Sequence, residues 1–392
     1  MLRPIDLKAQ PAPYQDRYKI LQRILEVLQK FNGHSVSVEK KAVELEASIA
    51  TKSASKQSYR FSVSILLRDL VKTNGDLTKL KNDGLRRRVR GGQGTTTVLS
   101  KKADVIEKLK EMLLAEDLLV QNGYITKLYA MSPEESVPSS PYISCHRCST
   151  KFKKDEIMEK TMCRYHLQKK RYNRETKTEE FPCCGESTGS PSFMALGCKT
   201  LDYHVYRSET FHEMSQISAF KKTSNVEGDE NVLALDCEMG YTSLGYEMIR
   251  LTIVDFFTNS ILFDEVIQPF GEIIDLNTEF SGVHMIDKDK TLTFSQALPK
   301  FLGKSLINKN SILIGHGLEN DLNVLRIIHD KIIDTAILYP HGKFKSSLKN
   351  LAFQELSRRI QSGEHDSSED AIASMDVVKV KLGIPLDHKE WI

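Results

Sequence analysis

The chain has 392 residues, of which 40% are hydrophobic and 27% charged, a composition typical of a folded protein rather than a disordered one. This length predicts two or three domains. The chain carries 55 Lys and Arg against 52 Asp and Glu, and the net charge of +3 is too small to indicate nucleic-acid binding by itself. It contains no run of about 18 apolar residues, and residues 1–10 lack the apolar stretch of a secretory signal, so we expect an intracellular protein without membrane contact.

Residues 1–130 are predicted to form a helical domain, because apolar residues recur there at helical spacing. The segments with this pattern are 18–31, 38–50, 59–72 and 105–120. Their Leu and Ile side chains predict the core of a helical bundle, with a groove that docks a partner protein as the alternative. The sequence does not identify that partner, and this region contains no catalytic pattern.

Residues 79–102 form a strongly basic stretch with eight Lys and Arg and a single acidic residue. Its glycines, Gly91, Gly92 and Gly94, predict a loop. Such a loop is either a solvated surface segment or a contact for the phosphate backbone of a nucleic acid, and both interpretations stay open.

A Cys- and His-rich domain is predicted over residues 143–220, between a linker rich in Pro and Ser at 131–142 and a polar stretch at 221–231. Six of the 7 cysteines lie in this domain, and in a reducing compartment such clustering indicates metal binding rather than disulfides. Six Cys and two His would complete two closed tetrahedral zinc sites. The candidate ligands are Cys145, Cys148, Cys163, His166, Cys183, Cys184, Cys198 and His204.

Two structural Zn²⁺ ions would supply folding free energy to a segment with a modest apolar core. Because adjacent side chains point in different directions, we expect Cys183 and Cys184 to serve different ions and so to interlock the two sites. One zinc instead of two is an alternative, and buried free cysteines with incidental histidines are another.

Residues 225–392 are predicted to form a mixed α/β domain. Three segments with strand patterns follow one another, 231–242, 247–258 and 260–270. Strands that alternate with helices come next, and this order predicts a mixed sheet with helices on both faces.

This domain carries four carboxylates at strand ends and helix starts. Asp236 and Glu238 are two residues apart on the first strand, so both project from one face. Asp321 opens a helix, Asp370 lies in the first turn of the last long helix, and His365 precedes Asp370 by five residues. One such carboxylate is usually a helix cap or a surface charge, but this combination indicates a catalytic centre.

The segments LDCEM, HGLENDL and HDSSEDA resemble the three sequence boxes of the DEDDh class of 3′-to-5′ exonucleases, in residue type, order and spacing, over residues 232–383. The extension DCEMGYTSLGYEMIRLTIVD is similar to the RNA exonuclease branch of that class. A zinc-rich region behind a helical front half is similar to the fungal RNA exonuclease 3 family. The step Cys183-Cys184-Gly185 and the closing Gly197-Cys198…His204 resemble the paired-zinc modules called cysteine- and histidine-rich domains (CHORD).

The resemblance implies an RNase H-like catalytic domain and an enzyme that trims 3′ extensions of small structured RNAs in the nucleus and cytoplasm. Hard oxygen ligands favour Mg²⁺ or Mn²⁺, and two such ions would clamp the attacking and leaving oxygens of a phosphodiester. Their ligands would be Asp236, which bridges both ions, with Glu238, Asp321 and Asp370.

His365 would then act as the general base, because its unperturbed pKa is near neutral, and Met239 would line the terminal nucleotide. A 3′-to-5′ DNA exonuclease is one alternative, since preference for RNA depends on 2′-hydroxyl contacts that sequence does not display. An interaction adaptor built on the zinc module, with a vestigial nuclease, is another. The intact carboxylates argue against the adaptor.

Overall fold

The computed structural model of the chain describes residues 3–5, 7, 11–33, 36–52, 59, 63, 66–67, 70, 101–129, 140–174, 176–189, 196–342, 344–361, 363–386, 388 and 390–391. The chain forms two compact units, Met1–Gln93 and Gly94–Ile392. Most of the basic stretch 79–102 and of the predicted linker 131–142 lies outside the described residues, so the interpretations of both stay predictions. Among the described residues, no helix is long and apolar enough to cross a membrane.

The first unit contains two helices where the periodicity predicts them, α1 (Tyr14–Asn32) and α2 (Val36–Lys52). Leu21 and Ala42 belong to the apolar cluster between them. Arg17 donates two hydrogen bonds of 2.9 and 2.8 Å to the Glu46 carboxylate, and both side chains are fully buried. Loss of either partner would leave a buried charge uncompensated, so this ion pair fixes the packing of the two helices.

The second unit combines helices on a central sheet with several small sheets. Its helices are α3 (Lys102–Lys110), α4 (Glu116–Gln121), α5 (Phe211–Ile217), α6 (Thr278–Ser281), α7 (Phe294–Phe301), α8 (Leu318–Leu325), α9 (Thr335–Leu338), α10 (Leu348–Leu351) and α11 (Ser367–Lys381). Its strands are β1 (Tyr142–Ser144), β2 (Lys151–Lys153), β3 (Cys163–Tyr165), β4 (Arg171–Asn173), β5 (Thr178–Phe181), β6 (Glu186–Ser187), β7 (Lys199–Leu201), β8 (Lys221–Lys222), β9 (Val232–Thr242), β10 (Gly245–Asp255), β11 (Ile261–Gln268), β12 (Ile273–Asp275), β13 (Leu292–Thr293), β14 (Ile312–Gly315), β15 (Ile327–Ile328) and β16 (Ile332–Asp334).

The central sheet has the strand order β13-β11-β10-β9-β14-β16, and β12 pairs with the far end of β9. β10 is antiparallel to both β9 and β11, whereas β14 is parallel to both β9 and β16. The mixed α/β sheet that the sequence predicts is therefore confirmed.

Alternation along β9 divides its side chains between two apolar clusters on opposite faces of the sheet. Leu235 joins the cluster that includes residues of α7 and α8. Ala234 joins the other cluster, which includes residues of α11. Because successive side chains of a strand point to opposite faces, Asp236 and Glu238 project on the α11 face.

Residues 101–129 pack on this sheet, although the sequence predicts them as the end of a helical domain over 1–130. Val105 of α3 belongs to the cluster on the α11 face, whereas Leu119 of α4 belongs to the cluster on the other face. Between the two helices, the backbone N–H of Leu114 donates to a carbonyl of the end strand β16, at 3.0 Å. The segment thus passes around the edge of the sheet. Helical periodicity shows that one side of a helix is buried, but not which partner covers it.

The Cys- and His-rich region forms three small sheets, β1–β2, β3–β7 and β4–β5–β6. Its apolar cluster is small and includes Cys145, Cys163, Tyr165 and Val205, together with Tyr241 from the far end of β9. A core of this size provides little hydrophobic stabilisation, which is the situation in which bound metal supplies folding free energy.

Candidate active site

The predicted catalytic carboxylates converge where β9 meets the first turns of α8 and α11. Asp236 and Glu238 project from β9 toward α11, which packs across that strand. Asp321 lies in the first turn of α8, and its Oδ1 accepts a hydrogen bond of 2.8 Å from the backbone N–H of Cys237. Asp370 lies in the first turn of α11. Three elements thus bring together four acidic side chains.

Burial, assisted by neighbouring negative charges, raises the pKa of all four carboxyl groups. Burial, and next the charges of Asp321, Asp370 and Glu238, raise the pKa of Asp236 well above its ordinary value. Glu238 is 6% exposed, and burial together with the charge of Asp370 raises its pKa to about 8. Burial also raises the pKa of Asp321 to about 7 and that of Asp370 to about 6. The cluster therefore favours binding of protons or cations near neutral pH.

Two buried oxygens of this cluster, Glu238 Oε1 and Asp370 Oδ1, accept no hydrogen bond from any described residue. A buried acceptor without a partner costs free energy. A divalent cation would satisfy both oxygens, and a donor set made only of carboxylates suits Mg²⁺ or Mn²⁺. The residues therefore fit the predicted ions.

His365 lies beside these carboxylates, as predicted. Its Nδ1 is 3.6 Å from Asp370 Oδ2, and its side chain is 30% exposed. Burial, and next the charge of Lys349, lower the pKa of His365, so its imidazole is neutral near pH 7 and able to accept a proton. The Phe280 ring lies edge-on to the imidazole at 6.2 Å, and the His365 backbone N–H donates to Phe280 O at 3.2 Å.

Gly282 allows this close approach. It has a φ of +62°, and a Cβ at this position would lie 2.4 Å from the backbone oxygen of His365. Both the left-handed backbone and the missing side chain require glycine here.

The sequence reasoning missed two side chains that act on the carboxylates, one through its charge and one through a hydrogen bond. Arg250, opposite Glu238 on β10, donates hydrogen bonds of 2.8 and 2.9 Å to Asp264, and its charge opposes the rise in the pKa of Glu238. Gln361 Nε2 donates to Asp370 Oδ2 at 2.7 Å. A single Arg in an otherwise apolar strand is unusual, and this feature of the sequence could have indicated Arg250. Gln361 lies in a loop, where no pattern in the neighbouring sequence indicates its role.

A third missed contact supports α8 from outside the predicted catalytic domain. The Asp334 carboxylate accepts hydrogen bonds from the backbone N–H groups of Gly317 and Leu318, at 2.8 and 3.2 Å. Tyr124 donates its hydroxyl to the same carboxylate at 2.6 Å. The segment 101–129 therefore helps to hold the start of the helix that carries Asp321.

Met239 is half-buried and packs against the apolar cluster that includes α7 and α8. A β-bulge in the pairing of β9 with β10 lies between Met248 and Arg250, opposite Glu238 and Met239. Bulges next to active sites re-aim side chains. The predicted contact of Met239 with a terminal nucleotide stays a prediction.

The predicted zinc ligands assemble into two groups of four, in each of which the ligand atoms lie within 4.8 Å of one another. The first group is Cys145, Cys148, Cys163 and His204, and the second is His166, Cys183, Cys184 and Cys198. Two sulfurs about 2.3 Å from one tetrahedral ion lie about 3.8 Å apart, and the observed Sγ–Sγ distances are 3.7 Å for Cys145–Cys163 and 3.6 Å for Cys183–Cys198. Both groups therefore fit zinc.

The expectation that Cys183 and Cys184 serve different ions is wrong. Both sulfurs lie close to His166 Nδ1, at 3.8 and 3.5 Å. The two cysteines stand in a turn, in which the N–H groups of Cys184 and Gly185 both bond to Phe181 O, so the opposite directions of an extended strand do not apply. The two groups are interlocked instead because the short Cys163–His166 segment contributes one ligand to each.

Arg147, between two ligands of the first group, joins the Cys- and His-rich module to the catalytic domain. Its guanidinium lies over the rings of Tyr165 and Tyr241, at 4.8 and 5.1 Å. It also donates to Asp275 Oδ2 at 2.8 Å and to Asn277 Oδ1 at 2.7 Å. Asn277 directly precedes α6, which carries the Phe280 that contacts His365. The module is thus connected to the loop that supports the predicted base.

Comparison with known proteins places these features in a family. A model of the REX3 N-terminal domain matches residues 2–116, and a model of the RNA exonuclease 3 middle domain matches residues 143–195. The chain is 54% identical over 401 residues to RNA exonuclease 3 of Saccharomyces cerevisiae, covering 100% of this chain and 99% of that protein. It is also 54% identical over 391 residues to RNA exonuclease 3 of Eremothecium gossypii, covering 100% of both.

These relatives are RNA exonucleases, and the mixed sheet with its acidic cluster agrees with a nuclease. The chain belongs to the RNA exonuclease 3 family, and the predicted family resemblance is confirmed. A likeness to the Pan2 catalytic unit of Neurospora crassa covers 53% of this chain and 41% of that chain, with 21% identity and a TM-score of 0.36. A Pan2 module of S. cerevisiae in complex with AAGGA RNA gives 23% identity and a TM-score of 0.35, covering 45% of this chain and 31% of that chain. At these TM-scores the likeness assigns no function to the chain.

Proposed function

We propose that this chain is a metal-dependent 3′-to-5′ exoribonuclease with an RNase H-like catalytic domain. It would trim 3′ extensions of small structured RNAs in the nucleus and cytoplasm and release 5′-nucleotides. The buried acidic cluster supports this proposal most directly, because it combines raised carboxyl pKa values with two oxygens that accept no hydrogen bond from the described residues.

The four carboxylates that would hold two Mg²⁺ or Mn²⁺ ions are those of Asp236, Glu238, Asp321 and Asp370. When bound, the ions would stabilise the charge that develops on the attacking and leaving oxygens. His365 would accept the proton of the attacking water, since its lowered pKa keeps the imidazole neutral. Gln361 would orient Asp370, to which it donates at 2.7 Å.

The two Cys/His groups would hold two structural Zn²⁺ ions. Each group supplies four ligands, which is the full coordination of a closed structural zinc site. In this proposal zinc takes no part in the chemistry and stabilises the module that Arg147 joins to the catalytic domain.

A cleavage assay with end-labelled oligonucleotides tests the proposed activity. RNA and DNA of one sequence, each with an unpaired 3′ extension, are incubated with the full chain in Mg²⁺, Mn²⁺ or EDTA. We expect 5′-labelled RNA to shorten stepwise and 3′-labelled RNA to release a mononucleotide at once, only when Mg²⁺ or Mn²⁺ is present, and the variant Asp236→Ala to be inactive. Preferential cleavage of DNA would favour a DNA exonuclease, and no cleavage of either substrate would favour the adaptor.

The role of His365 is tested by His365→Ala, which should lower turnover by about 10²- to 10⁴-fold, as loss of a general base does. His284→Ala is the matched control, because His284 is likewise a histidine paired with a carboxylate, that of Glu364, at 2.9 Å. Equal losses in the two variants would place the base elsewhere.

A further inference from the structure

A cavity of about 340 Å³ lies outside the acidic cluster, on the segment between β16 and α11. It is lined by His341, Phe344, Lys345, Ser346, Ser347, Asn350 and Gln354. Ligand sites for small molecules have volumes from about 300 Å³ upward, so one nucleotide fits a space of this size. The lining combines an aromatic ring, a cation and two side-chain amides.

The ring of Phe344 lines this cavity and is exposed to solvent. Its side chain is 78% exposed, although burial of a phenylalanine is favourable. Its backbone is nevertheless fixed, because Phe344 and His341 exchange two backbone hydrogen bonds of 2.9 and 3.2 Å. A solvent-facing ring on this backbone is suited to stacking on a flat partner, and every nucleobase offers such a face.

Three contacts connect the walls of the cavity to the catalytic boxes. Lys345 Nζ bonds to Glu319 Oε1 at 2.8 Å, two residues from Asp321. His316, which precedes α8, lies close enough to the Ser346 backbone for that backbone to oppose the fall in the pKa of its ring. These contacts place one wall of the cavity beside the helix that carries Asp321.

The other wall is connected to the third box. Lys349, next to the lining residue Asn350, donates to the backbone oxygen of Gln361 at 2.7 Å, and Gln361 donates to Asp370. The positive charge of Lys349 also contributes to lowering the pKa of His365. The cavity is therefore next to the predicted reaction centre, between the elements that carry Asp321 and Asp370.

We propose that this cavity binds an unpaired nucleotide of the RNA 3′ end, with the base stacked on Phe344. Lys345 and Lys349 supply positive charge for the phosphates that flank the base, and the amides of Asn350 and Gln354 can hydrogen-bond to base edges. The inference rests on the proposed exoribonuclease function and deepens it, because it gives the enzyme a contact specific for single-stranded RNA. The position next to the acidic cluster and the neighbouring lysines favour RNA over a protein partner as the occupant.

The test is a binding measurement in the full chain carrying Asp236→Ala, in which no cleavage competes. A 5′-fluorescent eight-nucleotide RNA is titrated in Mg²⁺ and its anisotropy recorded. Adding Phe344→Ala should weaken binding about 5- to 100-fold, the range for loss of one stacked base, and Phe344→Trp should restore it. Phe353→Ala is the matched control, because Phe353 is an exposed Phe of the same segment that does not line the cavity.

A scan with one abasic nucleotide at each of the last four RNA positions identifies the stacked base. At one position the abasic RNA should bind more weakly than intact RNA to the parent, but equally well to the Phe344→Ala variant, because the same contact has already been lost. If Phe344→Ala binds within twofold of the parent, or if every abasic penalty persists in the variant, the inference is wrong and the exposed ring has another partner.

Cleavage by the chain without Asp236→Ala is measured in parallel and separates this inference from the proposed function. A chain that does not cut RNA but shows the abasic coupling would lose the exonuclease assignment and keep the nucleotide site. A chain that cuts RNA without the coupling would do the reverse.

Discussion

Glu238→Gln should make the metal-free protein more stable while abolishing metal-dependent activity. The Glu238 side chain is 6% exposed, and one of its oxygens accepts no hydrogen bond within the part of the chain that the structure describes. Its pKa is raised from 4.5 to about 8 by burial and the charge of Asp370. The folded protein therefore binds the carboxyl proton more tightly than the unfolded chain does.

The direction and size of the effect follow from this difference. A group whose pKa is raised on folding contributes stability that is fully present below its unfolded pKa of 4.5 and is lost as the pH rises through about 8. At pH 7 the folded protein must keep Glu238 largely protonated, which costs about 3 kcal/mol of folding free energy on this basis. Glutamine is neutral without binding a proton, so the variant should melt about 5 °C higher for a unit of this size, and the difference should shrink below pH 4.5.

The assay is differential scanning calorimetry of the transition of the second unit, at pH 7 and pH 4, in EDTA and in Mg²⁺. Mg²⁺ should stabilise the wild type, because ligands that bind only the folded state raise its stability. It should have a much smaller effect on Glu238→Gln, from which one charged ligand is missing. The two proteins should therefore converge in stability as Mg²⁺ is added.

Glu247→Gln is the matched control on the neighbouring strand. Glu247 is also buried, at 5% exposed, but its carboxylate accepts hydrogen bonds from the Thr242 hydroxyl and from the N–H groups of Phe270 and Gly271, at 2.5, 2.9 and 2.9 Å. Its replacement should destabilise the protein by about 1 to 3 kcal/mol, with or without Mg²⁺. A Glu238→Gln variant that is less stable than the wild type in EDTA at pH 7 would refute the proposed charge repulsion.

Three further predictions concern the supports of the site. Tyr124→Phe should lower the unfolding free energy of the second unit by about 1.5 to 3 kcal/mol, because a charged hydrogen bond to Asp334 is lost. Chemical denaturation measures this free energy. A change below about 0.5 kcal/mol, which is ordinary for a neutral surface substitution, would contradict the prediction. The purified chain should hold about two equivalents of zinc by elemental analysis, and Cys184→Ser should lower this number whereas Cys237→Ser, outside both groups, should not; equal zinc in both variants would contradict the assignment. Arg147→Met should lower kcat by up to about 10²-fold through misplacement of the base, without loss of zinc, and an unchanged kcat would show that the contact with Asn277 has no catalytic consequence.

The acidic cluster could be predicted because strand and helix geometry determine it locally. Side chains two residues apart on a strand share a face, so Asp236 and Glu238 had to lie together once β9 was recognised. Asp321 and Asp370 were candidates because of their positions at helix starts, and the family resemblance supported their place beside this pair, because local patterns do not specify which helix packs on which strand.

The positions that sequence reasoning missed depend on long-range contacts or on turn geometry. Tyr124 and Asp334 are separated by 210 residues, and the periodicity of α3 and α4 contains no information about the sheet on which they pack. The prediction that Cys183 and Cys184 serve different ions was wrong for a local reason, because the turn that contains them was treated as extended chain. The residues of the two Cys/His groups could therefore be predicted from the sequence, whereas their division between the two groups could not.

Two parts of the chain outside the carboxylate boxes support the acidic cluster through intermediate residues. From one side, Tyr124 donates to Asp334, which accepts from the backbone at the start of α8 and so holds Asp321. From the other side, Arg147 donates to Asn277 at the start of α6, whose Phe280 contacts His365. Asp236 and Glu238 lie on a central strand, but Asp321 and Asp370 lie in the first turns of helices and His365 lies in a loop. The segment 101–129 and the Cys- and His-rich module thus add contacts near the groups that lie outside the sheet.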